Sequence, residues 1–218
     1  MRWNVIILLA AGCASAQISQ SDNPVFREIR DEAGLPRVLL VGDSISIGYT
    51  EPVREILKGK VNVHRIPMNG GPTTRGALLM DQWLAKGSWD VIHFNFGLHD
   101  LKYMPEGAHQ VPLPEYEANL EKIVSRLERT GARLIWATTT PVPEGKLDPP
   151  RTPADVILYN DAARRVMARH RAAVDDLYEF IMPELTELQR PLNVHFTDAG
   201  SRALAIEVTR SILKALNK

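Results

Sequence analysis

From residue 37 onward, short apolar runs alternate with longer amphipathic segments. That alternation restricts the chain to a parallel sheet with helices on both faces. The first run, Arg37 to Val41 (RVLLV), is continuously apolar after its first residue, as befits a strand buried on both sides. Further strands are expected at Val61 to Ile66, Asp90 to Asn95, Arg133 to Thr138 and Ala173 to Leu177. Helices are expected at Glu51 to Leu57, with Pro52 in the first turn, and from a Thr73 or Thr74 cap through Leu84. A third spans Pro114 to Thr130, where Leu120, Ile123, Val124 and Leu127 recur at helical spacing, and Gly131 closes it. Two more run from about Ala154 to His170 and from Asp198 to Leu216. Residues 101–113 and the proline-rich 139–153 are long loops. Five strands with intervening helices predict an α/β domain, a three-layer α/β/α sandwich around a five-stranded parallel sheet. Ligands of such sheets bind beyond the carboxyl ends of the strands.

The start of the chain reads differently. Arg2, the apolar Val5 to Ala11 and the small Ala14-Ser15-Ala16 are the three parts of an export signal. Residues 1–16 are therefore expected to be removed, and the polar 17–36 to form a surface leader ahead of a domain over 37–218. The apolar run is too short to span a bilayer. Ala10-Ala11-Gly12-Cys13 resembles a lipoprotein box, which would instead place a lipid anchor on Cys13. Either route predicts a secreted or periplasmic protein. Cleavage after Ala16 leaves no cysteine, which excludes a disulfide, a thiol nucleophile and a Cys-based zinc site. Lys+Arg and Asp+Glu are both 26, so net charge makes no case for nucleic acid or an anionic membrane as partner.

Four residues with useful chemistry map to one edge of the expected sheet. Ser44, in Gly42-Asp43-Ser44, follows the first strand, where a helix start favours anionic oxygen. A serine there can equally be a plain helix cap. This is not the Gly-x-Ser-x-Gly elbow of α/β-hydrolases, because Ser46 stands where the second glycine would be. Gly71 follows the second strand and His99 the third, within Gly97-Leu98-His99-Asp100. Each has a structural reading too, a turn glycine and a loop histidine. His195 precedes the last helix, between Val194 and Phe196, which should bury while the ring turns to the site. A neutral imidazole beside a serine hydroxyl can take its proton and return it to a leaving group.

In this order and spacing, over about 37–216, the chain resembles the SGNH hydrolases, also called GDSL esterases and lipases. The resemblance implies a flavodoxin-like SGNH fold and a carboxylic ester hydrolase that needs no metal or cofactor. It implies Ser44 as nucleophile, His195 as base, and Ser44 N–H, Gly71 N–H and His99 as the oxyanion hole. Two positions depart from the pattern. His99 stands where an asparagine usually donates its amide, and Leu192 stands where an aspartate usually orients the histidine. Leucine accepts no hydrogen bond, so a backbone carbonyl is expected in that role, or a Ser–His dyad. Asn193 is set aside, since neighbours in an extended segment point opposite ways.

The expected substrate is a small acyl ester, acetyl on carbohydrate in first place, because the loops flanking the site are polar (Lys102, Tyr103, Glu106, His109, Glu144, Lys146, Arg151). The alternatives are a lysophospholipase or thioesterase, which would need an apolar groove beside Ser44, and a non-catalytic carbohydrate-binding relative, which Leu192 would favour.

Overall fold

The structure, a computed structural model, describes residues 23–217. The expected export signal, Cys13 and residues 17–22 lie outside the described residues. Five parallel strands, β1 (Arg37–Val41), β2 (Asn62–Arg65), β3 (Val91–Phe94), β4 (Arg133–Ala137) and β5 (Ala173–Asp175), form one sheet in the order β2-β1-β3-β4-β5. Val38 to Val41 and Val91 to Phe94 are all buried, as central strands of a doubly covered sheet require. The expected five-stranded α/β/α sandwich is the observed one.

α1 (Ser44–Ile56) and α7 (Asp198–Ala215) pack together on one face. α2 (Thr73–Leu84), α3 (Leu113–Glu128) and α4 (Pro153–His170) form the layer on the other. The chain reverses its direction of travel between β1 and β3, so the crevice between their carboxyl ends is where this topology places a ligand. Two short helices, α5 (Leu177–Ile181) and α6 (Leu185–Leu188), lie between β5 and α7. No helix among the described residues is long and apolar enough to cross a membrane.

Three local expectations are corrected. The first helix begins at Ser44 rather than Glu51, so Pro52 sits inside it. There Pro52 cannot donate to the Gly48 carbonyl, and packing against α7 must offset that loss. Neither Thr73 nor Thr74 caps α2; the cap position is Pro72, and Thr73 instead points its hydroxyl at Asp100. β5 stops at Asp175, since Asp176 caps α5 by accepting from the Glu179 N–H.

The described part of the segment before β1, residues 23–36, lies along the surface and is pinned there. Asn62 at the start of the edge strand donates to the Glu32 and Leu35 carbonyls and accepts from the Glu32 N–H. Arg54 reaches the carbonyls of Pro24 and Val25. The segment shields the β2 edge, which would otherwise offer free backbone groups to another chain.

Candidate active site

The turn after β1 sets the position of Ser44. Asp43 caps α1 by accepting from the Ile45 N–H at 2.9 Å, which makes Ser44 the first helical residue. The Ser44 N–H has no intrahelical acceptor at that position and stays available to an anion. Arg65, at the end of β2, holds the turn from beneath. Its Nη2 donates to the carbonyls of Gly42 (2.9 Å) and Asp43 (3.2 Å), and its Nη1 donates to Ser46 Oγ. Burial lowers the Arg65 pKa to about 10, still far above neutrality. The loop after β2 closes on the same turn, with Gly70 N–H donating to the Gly42 carbonyl. A Cβ on Gly70 would lie 2.9 Å from that carbonyl oxygen, so a side chain there would push the two loops apart.

His195 arrives from the other end of the chain. Val194 and Phe196 are buried, and the half-buried ring between them turns to Ser44. Nε2 lies 2.9 Å from Ser44 Oγ. Nδ1 lies 2.7 Å from Asn193 Oδ1, which also accepts the His195 backbone N–H at 2.9 Å. A backbone N–H can only donate, so the amide atom it faces is the oxygen, and Nδ1 must carry the ring proton. Nε2 is then the free acceptor, oriented at the serine hydroxyl.

Asn193 therefore occupies the orienting role for which a backbone carbonyl or a dyad was expected. The segment is not extended there. Asn193 N–H donates to the Arg190 carbonyl, and Leu192 takes a left-handed φ of 48°. That turn brings Asn193 under the ring and leaves Leu192 64% exposed, packed near Gly145.

The expected oxyanion donors divide. Ser44 N–H is free. Gly71 N–H is committed to Asn69 Oδ1 at 2.9 Å in a tight turn with φ +63°. The Gly71 residue thus shapes the loop rather than presenting an unshared donor. His99 is half-buried in the loop after β3, and among the described residues no side chain or carbonyl hydrogen-bonds its ring. Burial lowers its pKa, Asp43 opposes the shift, and Arg151, Lys102 and Arg75 add to it. The ring is neutral at neutral pH and retains one N–H donor. Asp100, next in sequence, accepts from the Thr73 N–H at 2.8 Å and the Thr73 hydroxyl. It ties α2 to the site, and burial pushes its pKa up to about 7.

His195 shares this electrostatic setting. Burial is the main cause lowering its pKa; Asp43 opposes it, and Arg190 and Arg151 reinforce it. A cavity of about 520 Å³ opens beside Ser44 and His195, lined also by Ile45, Ile47, Arg190 and Arg202. Asn193, Arg65 and the Asp43 cap were not anticipated as site residues. The cap had a signal, an aspartate directly before a helix-starting serine.

A serine hydroxyl aimed at an oriented neutral imidazole, next to a free helix-start N–H, is the apparatus of an acyl-transfer hydrolase. Comparison with known proteins agrees. Residues 40–203 match the GDSL-like lipase/acylhydrolase family, and the chain belongs to it, a family of carboxylic ester hydrolases. No curated protein sequence matches the chain. Among solved structures, the lipase/acylhydrolase from Enterococcus faecalis is similar at a TM-score of 0.70 and 22% identity, over 82% of this chain and 95% of that one. The acetyl xylan esterase AlAXEase is similar at 0.69 and 18%, over 81% and 99%. Axe2, an acetylxylan esterase from Geobacillus stearothermophilus, is similar at 0.66 and 17%, over 84% and 94%. At these identities the structural likeness establishes the SGNH fold.

Proposed function

We propose that the protein is an exported serine esterase that removes small acyl groups, acetyl in first place, from carbohydrate. The observation that carries the chemistry is the 2.9 Å contact between Ser44 Oγ and a His195 Nε2 left unprotonated by the Asn193 bond to Nδ1. Ser44 Oγ attacks the ester carbonyl while Nε2 takes its proton. The developing oxyanion is held by Ser44 N–H and the His99 ring. Collapse breaks the bond to the sugar oxygen, which leaves with the proton from Nε2–H. Water then attacks the acyl-enzyme, returns a proton through His195, and releases acetate and free Ser44. With Asn193 in place, Leu192 no longer argues for a non-catalytic relative.

The acetyl preference is supported by the two acetylxylan esterases of like fold and by the polar loops around the site. Export is supported by the three-part segment 1–16. The intact mass of the exported protein should place its N-terminus at Gln17. An N-terminus at Met1 would reject export by this signal, and a lipidated Cys13 would replace simple cleavage with anchoring.

A fluorophosphonate probe tests the mechanism. It should form one covalent adduct, located by peptide mass spectrometry on Ser44. Labelling needs neutral His195, whose pKa lies below the usual 6.5. The labelling rate should therefore rise with pH through a midpoint below 6.5 and be level by neutrality. An adduct on another residue, or an active enzyme left unlabelled, would reject the assignment.

A further inference from the structure

We propose that the sugar bearing the acyl group is carboxylated, and that its carboxylate is received by the Arg151 guanidinium. This rests on the esterase assignment and narrows its substrate. The chain as a whole is neutral, with 26 basic and 26 acidic side chains, but the surroundings of the catalytic pair are not.

Two arginines are buried to 9% exposure, Arg65 and Arg151, and they are used differently. Arg65 commits both terminal nitrogens to oxygens of the Ser44 turn and of α1. Arg151 donates from Nε to the Leu98 carbonyl at 2.8 Å and from Nη1 to the Pro149 carbonyl at 3.1 Å. Leu98 directly precedes His99, so the guanidinium is fixed against the expected oxyanion side of the site. Its Nη2 has no protein partner, and it is not among the fully buried unpartnered atoms, so it remains open to solvent. Among the described residues no carboxylate lies within ion-pair distance of Arg151. The acidic group whose charge it feels is Asp43, already accepting the Ile45 N–H.

A desolvated cation without a paired anion is costly unless something supplies the charge. The planar guanidinium fork suits a carboxylate. Arg190 adds a second cation beside Ser44 and His195, with its N–H on the His195 carbonyl and its Nε on the Phe196 carbonyl. Both arginines disfavour a protonated His195, although the reaction must protonate it. A substrate carboxylate at Arg151 would offset that field as the imidazolium forms. The effect should then appear in kcat as well as in KM.

The test compares three esters with one acetyl group each: a methyl hexuronoside acetate, its carboxamide, and p-nitrophenyl acetate. The wild-type protein should favour the uronoside over the amide by roughly 10–100-fold in kcat/KM, the scale of a charge-assisted hydrogen bond. In Arg151→Gln that ratio should fall to within about threefold of unity, and Arg151→Lys should recover part of it. A wild-type ratio near one, with p-nitrophenyl acetate cleaved, overturns the inference and leaves the esterase assignment standing. A ratio unchanged in Arg151→Gln also overturns it. Failure to cleave any of the three esters overturns both. Should Arg151→Gln not fold, Arg151→Lys decides: its ratio should fall below that of wild type, and an unchanged ratio overturns the inference.

Discussion

Substituting Ser44 by alanine is expected to lower kcat for an acetyl ester by ~10⁴–10⁶-fold, the range seen when the nucleophile of a serine hydrolase is removed. The residual rate would come from binding and from the remaining oxyanion donors. The structure says why the loss should be chemical rather than structural. The Ser44 side chain is bonded to His195 alone, while the turn that carries it is held by the Asp43 cap, Arg65 and the Gly70–Gly42 contact. None of these uses the hydroxyl. Alanine is also the best residue for a helix position. The thermal midpoint should therefore move by only a few degrees, on the scale of a ≲1 kcal/mol change. Acetate release by the pure variant, measured beside its melting curve, separates the two causes. Turnover within tenfold of wild type in a folded variant would remove Ser44 from the mechanism.

The sheet was legible because its signal is redundant. β1 and β3 are largely apolar runs buried on both faces, and β4 is buried over Ile135 to Ala137. The edge elements carried less. β5 has only three residues, two of them exposed, and the short helices that follow have no full period to display. α1 shows a different failure. Its first turns, Ser44 to Thr50, contain isoleucines, Gly48 and two serines, which locally favour a strand or loop. Tertiary contact overrides them: a Cβ on Gly48 would sit 3.1 Å from Ser201 Oγ of α7, so the glycine is what lets the two helices close. Propensity counts against that residue, and packing selects it.

The site was legible in proportion to how much of it lay at strand ends. Ser44 and His99 follow from the rule that loops at the carboxyl edge bear function, and His195 from burial of its two neighbours. Arg151 stood in a loop recognised as bordering the site, but nothing in the sequence distinguished it from Lys102 or Lys146. What sets it apart is burial without an ion pair, which only coordinates reveal. The Gly71 N–H is engaged within its own loop for a local reason. Asn-Gly-Gly is a turn in which the asparagine side chain captures the N–H two residues on. The same Asx chemistry operates at Asn193, again two residues before the group it captures. Strand alternation, which sets Asn193 aside, does not hold in a segment that turns, and the turn reading of Gly71 leaves open which side chain takes its N–H.

Asn193 carries the second large expected effect. Asn193→Ala should lower kcat by ~10²–10⁴-fold, since loss of the Nδ1 acceptor frees the ring to rotate and to adopt the unproductive tautomer. It also removes the acceptor of the His195 backbone N–H, so the fall mixes orientation with local order. Asn193→Asp separates the two. The aspartate keeps an acceptor at the same place, 2.7 Å from Nδ1, and adds a negative charge. An anion there favours the protonated ring, so the His195 pKa must rise, and the acid limb of kcat/KM should move to higher pH than in wild type. Asp100, which titrates near 7, gives no such response, because nothing at position 193 touches it. A limb that moves with Asn193→Asp therefore belongs to His195. Turnover should be preserved or raised at pH 8, where the aspartate stabilises the imidazolium that the amide can only orient. If Asn193→Ala stays within threefold of wild type and the limb does not move in Asn193→Asp, the histidine works without an orienting partner and the enzyme is a dyad.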